Sequence, residues 1–285
     1  MDSVITFEEV EKEFTGFRLG PLSFAVPQGQ FTVLAGSEGA GKSTIIRLLM
    51  GLMYPRSGRV TVFDRDTAAY GSRLRQSIGV LFDSCHFYEE LNAKEVRRLI
   101  GPFYPNWDQA VFEEYAKQLE VPLSKAIRDQ SETEKLKVSL IFALAHRPPL
   151  LIIDEPAAGF EETFRSQLLA ILREKKGEDG CSIVFASDTT AELEEVADYV
   201  LFLSQGQVAS SQPLRNLLQG YVLAAGRIRY LHPRVQNAFV HIAEKDGQFE
   251  GLIASDRPEL AELKEHASLQ EPSLQDVLSH LEGVE

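Results

Sequence analysis

Lys42 lies in the run Gly36-Ser-Glu-Gly-Ala-Gly-Lys-Ser-Thr44, in which glycines are interspersed with small or polar residues and an ammonium is followed by two hydroxyls. Such a run suits one kind of chemistry: successive backbone N–H groups at a helix start wrap a chain of phosphates, and the helix dipole adds to the attraction. Gly36, Ser37, Glu38, Gly39, Ala40, Gly41, Lys42, Ser43 and Thr44 then form the seat. Lys42 reaches the β and γ phosphates of ATP or GTP, and Ser43 holds Mg²⁺. A second pair of groups, Asp154 and Glu155, ends the apolar run Leu150-Leu-Ile-Ile. Asp154 joins the metal shell and Glu155 polarises the attacking water, the division of labour that phosphoryl transfer requires. The plainer readings are a glycine-rich turn with a chance lysine and two acidic residues closing a surface strand. The spacing and the flanks of the loop weigh against both.

The elements that must position these groups follow from pattern. Phe31 to Ala35 is an apolar strand before the loop and Ile45 to Met50 a helix after it. Val4–Phe7, Leu22–Val26, Gly58–Phe63 and Ile78–Phe82 read as strands; Asn92–Leu99, Trp107–Leu119 and Leu136–Ala145 read as helices. Leu150–Ile153 is apolar throughout, as a parallel strand covered on both faces should be. Phe164–Arg173 is helical, Ser182–Ala186 a strand, Glu192–Ala197 a helix, and Val200–Leu203 with Val208–Ser210 a hairpin around Gly206. Strands alternating with helices imply an α/β fold with a mostly parallel sheet. The stretch from about Glu89 to Ala145 forms an inserted helical lobe. From about Gly220 the texture changes to short strands (Arg227–Leu231, Ala238–Ile242, Phe249–Ala254) and helices (Pro258–Ala267, Pro272–Leu281). The division expected is residues 1–219 as a nucleotide-binding unit and 220–285 as a small α+β appendage.

Composition narrows the partners. The chain has 285 residues, with 29 basic and 42 acidic side chains and a net charge of −13. No basic excess exists to displace counterions from a nucleic acid, so direct binding to one is not expected. Cys85 and Cys181 lie far apart with no partner pattern, and Cys85-His86 lacks further ligands at useful spacing. No basic start followed by an apolar core suggests a signal peptide, and no apolar run approaches the roughly 20 residues of a bilayer span. Any membrane role then comes through a partner.

With these motifs in place the chain, from near its start to about Ser211, resembles the nucleotide-binding domain of ATP-binding cassette (ABC) transporters. The phosphate loop matches the family's Gly-x-x-Gly-x-Gly-Lys-Ser-Thr, and Leu151 to Glu155 matches its Walker B strand. Phe14, in Val10-Glu-Lys-Glu-Phe14, falls where the family places an aromatic that stacks on adenine. Pro156-Ala-Ala-Gly-Phe-Glu161 lies at the D-loop, with Gly159 kept. Ile78-Gly-Val-Leu-Phe-Asp83 resembles the strand into the Q-loop, whose glutamine maps onto Asp83, a shorter oxygen donor for Mg²⁺ or water. Pro272-Ser-Leu-Gln-Asp-Val277 is similar to the ending of many bacterial cassette subunits. His86-Phe-Tyr-Glu-Glu-Leu91 and Pro102-Phe-Tyr-Pro-Asn-Trp107 resemble bacterial exporter ATPases encoded with separate membrane subunits.

Two departures matter. The family signature, Leu-Ser-Gly-Gly-Gln, aligns with Gln130-Ser-Glu-Thr-Glu134, of which only Ser131 survives. Glycines there allow close backbone approach to the γ-phosphate of the opposite subunit. Glu132 and Glu134 bring like charge instead, worth roughly 4 kcal/mol at 4 Å and an effective dielectric of 20. The same run has the Ser-x-x-Glu form of a capping box, so it still starts a helix. The switch histidine aligns with Asp188, which cannot donate a hydrogen bond to the γ-phosphate when ionised. Its plainer reading is a turn residue before a helix capped by Thr189 and Glu192.

The resemblance implies an ATP-binding subunit with ATP and Mg²⁺ as ligands, Ser43, Asp83 and Asp154 on the metal, and Glu155 as the catalytic base. It further implies integral-membrane permease subunits as partners, a homodimer or heterodimer of nucleotide-binding subunits, and a place on the cytoplasmic face of the membrane. The groove for the permease is expected at the helical lobe around Trp107. The altered signature and Asp188 together imply slow hydrolysis. The alternative is a regulatory ATP sensor of the same family with no transport role.

Overall fold

A computed structural model describes residues 2–155 and 160–283. The expected D-loop residues Pro156 to Gly159 lie outside the described residues. A six-stranded sheet in the order β10-β9-β3-β8-β7-β6 forms the centre. It comprises β3 (Phe31–Ala35), β6 (Ile78–Leu81), β7 (Leu150–Asp154), β8 (Ser182–Ser187), β9 (Tyr199–Ser204) and β10 (Gln207–Pro213). All its pairings are parallel except the β9–β10 hairpin. Every residue of β3, β7 and β8 is buried, which is why these strands carry apolar runs rather than an alternating pattern.

A second sheet, not expected from the sequence, stands against the first. It is antiparallel, in the order β2-β1-β4-β5, built from β1 (Ser3–Phe14), β2 (Phe17–Pro27), β4 (Ser57–Val62) and β5 (Arg65–Asp66). The two short strands predicted before the loop are in fact one long hairpin turning at Thr15-Gly16. Helix α1 (Lys42–Leu49) lies between the sheets, with Ile45, Ile46, Leu48 and Leu49 buried, and α2 (Thr67–Leu74) follows β5 with Asp66 as its N-cap.

The helical lobe consists of α3 (Ala93–Ile100), α4 (Gln109–Gln118) and α5 (Glu132–Ala145). Each begins on a side-chain cap: Asn92, Asp108 and Ser131 accept from N–H groups of the first turn that have no helical partner. Phe142 gathers the lobe's aromatics, with ring centroids 4.8 Å from Phe87, 5.3 Å from Phe112 and 5.7 Å from Trp107. Nine of the fourteen residues of α5 are buried, since the helix is covered by the lobe on one side and by the central sheet on the other. Helix α6 (Glu162–Asp179) flanks the same core through Phe164, Leu168, Ile171 and Leu172.

After α7 (Leu214–Gln219) the chain enters a third sheet, ordered β12-β13-β11-β14, with its own small core around Phe249, Val235 and Ile253. Its elements are β11 (Tyr221–Arg227), α8 (Pro233–Gln236), β12 (Phe239–Lys245), β13 (Gln248–Ala254), α9 (Leu260–Leu263), β14 (Ala267–Gln270) and α10 (Leu274–Glu282). The chain is thus an α/β fold around a mostly parallel sheet, with an inserted helical lobe and a C-terminal α+β appendage, as the sequence implied.

Three local expectations are corrected. Glu192–Ala197 forms hydrogen-bonded turns instead of a helix, and the Thr189–Glu192 capping box is absent. Glu192 is drawn to Arg165, and Glu194 to the Leu274 N–H, so the side chains are committed to tertiary partners. The strand placed at Arg227–Leu231 ends at Arg227, where a 3₁₀ turn over Ile228–Tyr230 takes over. The helix placed at Pro258–Ala267 shortens to Leu260–Leu263, because Ala267–Gln270 pairs with β11 as a strand.

Candidate functional site

The carboxyl ends of β3, β6, β7 and β8 meet at one rim, the edge where ligands bind in open parallel sheets. Because β8 lies between β3 and β7, its last residue, Ser187, and the Asp188 that follows reach the same rim as the glycine loop and Asp154. A cleft of about 570 Å³ opens there, lined by Lys42, Ser43, Asp83, Asp154, Glu155 and Asp188 among others. Phe14, Glu38, Gly39, Gly41 and Thr44 complete the expected part of its wall. Chain order had separated these residues by more than a hundred positions; strand order brings them together.

Backbone geometry explains the glycines. Gly41, the N-cap of α1, has φ of 111°, and a Cβ there would sit 2.6 Å from Leu19 Cδ1. Gly36 has φ of 154° with its Cβ direction 2.5 Å from the Leu203 carbonyl oxygen. Only glycine fits such positions without displacing backbone or strand partners. The Ala40 N–H donates to the Ser37 carbonyl (3.1 Å), which closes the loop on itself. Gly36, Ser37 and Ala40 do not line the cleft wall, although the Gly36 and Ser37 carbonyls accept from Lys42 Nζ at 2.5 and 3.0 Å.

Burial lowers the Lys42 ammonium below the ordinary lysine value, while the charges of Asp188, Asp154, Glu282 and Glu38 pull it back up. Asp154 is pushed up to about 6, first by burial and then by the charge of Asp83, with a long contact from the Ser43 hydroxyl (3.5 Å) opposing. A carboxylate short of positive charge, a second carboxylate and a hydroxyl are hard oxygen donors suited to Mg²⁺. Ser43, Asp83 and Asp154 therefore fit the cation assigned to them. Bound there, the ion would neutralise charge on a transferring phosphoryl group.

Glu155 is held by residues that the sequence did not single out. Its side chain is 3% exposed; Arg165 of α6 donates to one oxygen and the Ser187 hydroxyl to the other. Arg165 also donates to Glu192 (2.6 Å). Burial raises Glu155 above the usual carboxylate range, and Ser187 and Arg165 pull against it. Phe17 and Arg47 also line the cleft without having been foreseen. No local motif marks these four residues; each arrives from a different element, and only the position of Arg165, ten residues after Glu155 on a helix face, offered a signal.

The polar side chains at the start of α5 have partners within the chain. Ser131 and Glu134 form the expected capping box, and Glu134 also accepts from Lys125 (2.8 Å). Glu132 pairs with Lys135 (2.9 Å), with 81% of its side chain exposed. Their negative charge is therefore partly compensated within this chain.

Comparisons with known proteins agree with this geometry. The family model described as ABC transporter matches residues 19–158. The ABC transporter ATP-binding protein YtrB of Bacillus subtilis is 25% identical, covering 77% of this chain and 75% of its own. An uncharacterized ABC transporter ATP-binding protein of Synechocystis, sll0415, is 28% identical over 96% of this chain and 83% of its own. Among solved structures, an ATP binding subunit of an ABC transporter superposes with a TM-score of 0.68 at 28% identity, covering 75% of this chain and 92% of that one. The dimeric post-hydrolysis cassette MJ0796, bound to ADP and Pi, gives 0.66 at 20% identity over 74% and 99%, a likeness of fold. Residues 19–158 carry an ABC transporter ATP-binding domain, and over most of its length the chain is similar to proteins described as ABC transporter ATP-binding proteins.

Proposed function

We propose that the chain binds MgATP in the cleft at the ends of β3, β7 and β8, hydrolyses it slowly, and serves an export-type transporter as one of two nucleotide-binding subunits beneath integral-membrane permeases. The observation that carries this reading is the convergence of Lys42, Ser43, Asp154 and Glu155 on one cleft. In it the loop amides and Lys42 hold the phosphate chain, Phe14 covers the base, and Ser43, Asp83 and Asp154 hold the cation. Glu155 is the base that orients water. Residues 1–219 act as the nucleotide-binding unit and 220–285 as an accessory unit.

Slow turnover rests on three features. Asp188 stands at the cleft with no hydrogen to give when ionised. The signature glycines are replaced by Glu132 and Thr133. Both oxygens of Glu155 already accept a hydrogen bond, one from the Arg165 cation and one from Ser187, and both donors weaken the carboxylate as a base for water.

An apolar groove supports permease docking. It measures about 350 Å³ and is lined by Leu52, Val80, Phe82, Phe87, Ile100 and Tyr104, with Leu99, Phe103 and Tyr88 exposed nearby. Trp107, around which this groove was expected, packs inside the lobe against Phe112 and Phe142. Among the described residues no helix is long and apolar enough to cross a membrane, so attachment at the cytoplasmic face through permeases fits. The regulatory-sensor alternative draws on the occupied Glu155.

Phosphate release tests the proposal, measured on the purified chain alone and with copurifying membrane proteins. Turnover well below one per second is expected. Fast turnover that disappears in Glu155→Gln contradicts the slow-hydrolysis reading, and absence of any membrane protein in native copurification contradicts the transporter role.

A further inference from the structure

Helix α10 joins the C-terminal unit to the phosphate loop and to the turn after Asp188, two segments adjoining the lining of the nucleotide cleft. At its start, the Leu274 N–H donates to Glu194 (2.7 Å), and Gln275 Oε1 accepts from the N–H and the hydroxyl of Thr190 (3.2 and 3.0 Å). Both acceptor and donor belong to the turn that follows Asp188. At its end, Glu282 Oε1 accepts from the Ser37 N–H inside the phosphate loop (2.9 Å). Leu274, Val277 and Leu278 anchor the helix in the same apolar core as β3 and β8. On its other face α10 packs against β12, where His241 and His280 meet at 3.0 Å between their Nδ1 atoms.

We infer that Glu282 is an affinity-setting residue of the nucleotide site, contributed by the C-terminal unit: its carboxylate fastens the phosphate loop and places a negative charge against the phosphate chain the loop receives. The inference rests on the reading of the cleft as the MgATP site. A carboxylate accepting from a loop N–H makes a charge-assisted bond, stronger than the neutral bonds elsewhere in the loop. The same charge acts on Lys42, the cation that meets the phosphates, beside the charges of Asp188, Asp154 and Glu38. Its repulsion grows with phosphate charge, so ATP feels it more than ADP does. Coupling of binding free energies is reciprocal, so a bound triphosphate loosens the hold of Glu282 on the loop as much as Glu282 opposes the triphosphate. The C-terminal unit thereby receives a signal of nucleotide state through α10.

The test is equilibrium titration of the full chain with MgATP and with MgADP, at low and high potassium chloride. Wild type is compared with Glu282→Gln, which keeps the acceptor and removes the charge, with Glu282→Lys, and with Lys42→Ala as the control that empties the site. Glu282→Gln should tighten MgATP about three- to tenfold at low salt, with a smaller gain for MgADP, and the gain should shrink as salt rises. Glu282→Lys should tighten it further. Unchanged or weaker ATP affinity in Glu282→Gln, or a gain independent of salt, overturns the inference while leaving ATP binding intact. Failure of the wild type to bind MgATP removes the reading beneath it, and the inference falls with that reading.

Discussion

Asp154 offers a prediction whose size follows from the structure. Its carboxyl titrates at about 6 in the fold, against an ordinary value of 3.8, because it is buried beside Asp83. A group whose folded value is raised binds its proton more tightly when folded, so the cost of ionising it in the fold is absent below pH 4. That cost grows between pH 4 and 6 and is constant above. The shift corresponds to about 3 kcal/mol, and to about 1–2 kcal/mol once water relaxes into the open cleft. Asp154→Asn removes that cost. In metal-free buffer the variant should be more stable than wild type by about 1–3 kcal/mol at pH 7.5, with the gap narrowing as pH falls and vanishing by about pH 3. Magnesium and ATP should stabilise wild type by mass action and leave the variant unmoved. Urea unfolding with a chelator, at several pH values, measures the difference directly. A variant less stable than wild type at pH 7.5, or a gap that does not widen with pH, refutes the reasoning.

Other outcomes follow from the same contacts. Gly41→Ala places a Cβ 2.6 Å from Leu19 at a φ of 111°, and should cost about 1–3 kcal/mol in thermal unfolding as well as nucleotide binding. Arg165→Met leaves Glu155 buried without its cation; single-turnover hydrolysis should lose its acid limb at a higher pH than in wild type, because the arginine had been pulling the carboxyl down. Ser131→Ala removes an N-cap from α5 and should cost about 1 kcal/mol in unfolding by denaturant, with no change in nucleotide affinity of the isolated chain.

Local chemistry was the legible part of this chain. The phosphate loop declared itself because backbone conformation there restricts residue type: Gly36 and Gly41 stand where a Cβ collides. Strand β7 was readable because burial on both faces leaves an unbroken apolar run that ends at Asp154. Asn92–Leu99 and Leu136–Ala145 fell within a residue or a turn of α3 and α5, since capping groups and apolar spacing agree there. What failed was whatever depends on partners distant in the chain. Glu192–Ala197 has helical composition, yet Arg165 and α10 claim its side chains. Ala267–Gln270 is a strand because β11 supplies an edge, and the antiparallel sheet beside α1 depends on pairings across about fifty residues. The grip of Arg165 and Ser187 on Glu155, and of Glu282 on Ser37, belongs to the same class. Arg165 stands only ten residues from Glu155, whereas Ser187 lies 32 residues from Glu155 and Glu282 lies 245 from Ser37, beyond any local window.

Uptake of radiolabelled ATP by the full chain, with and without magnesium at physiological salt, tests the assignment of the cleft most directly. Saturable one-site uptake that requires magnesium and is lost in Lys42→Ala is the expected result. Uptake that never saturates, or that survives in Lys42→Ala, contradicts it.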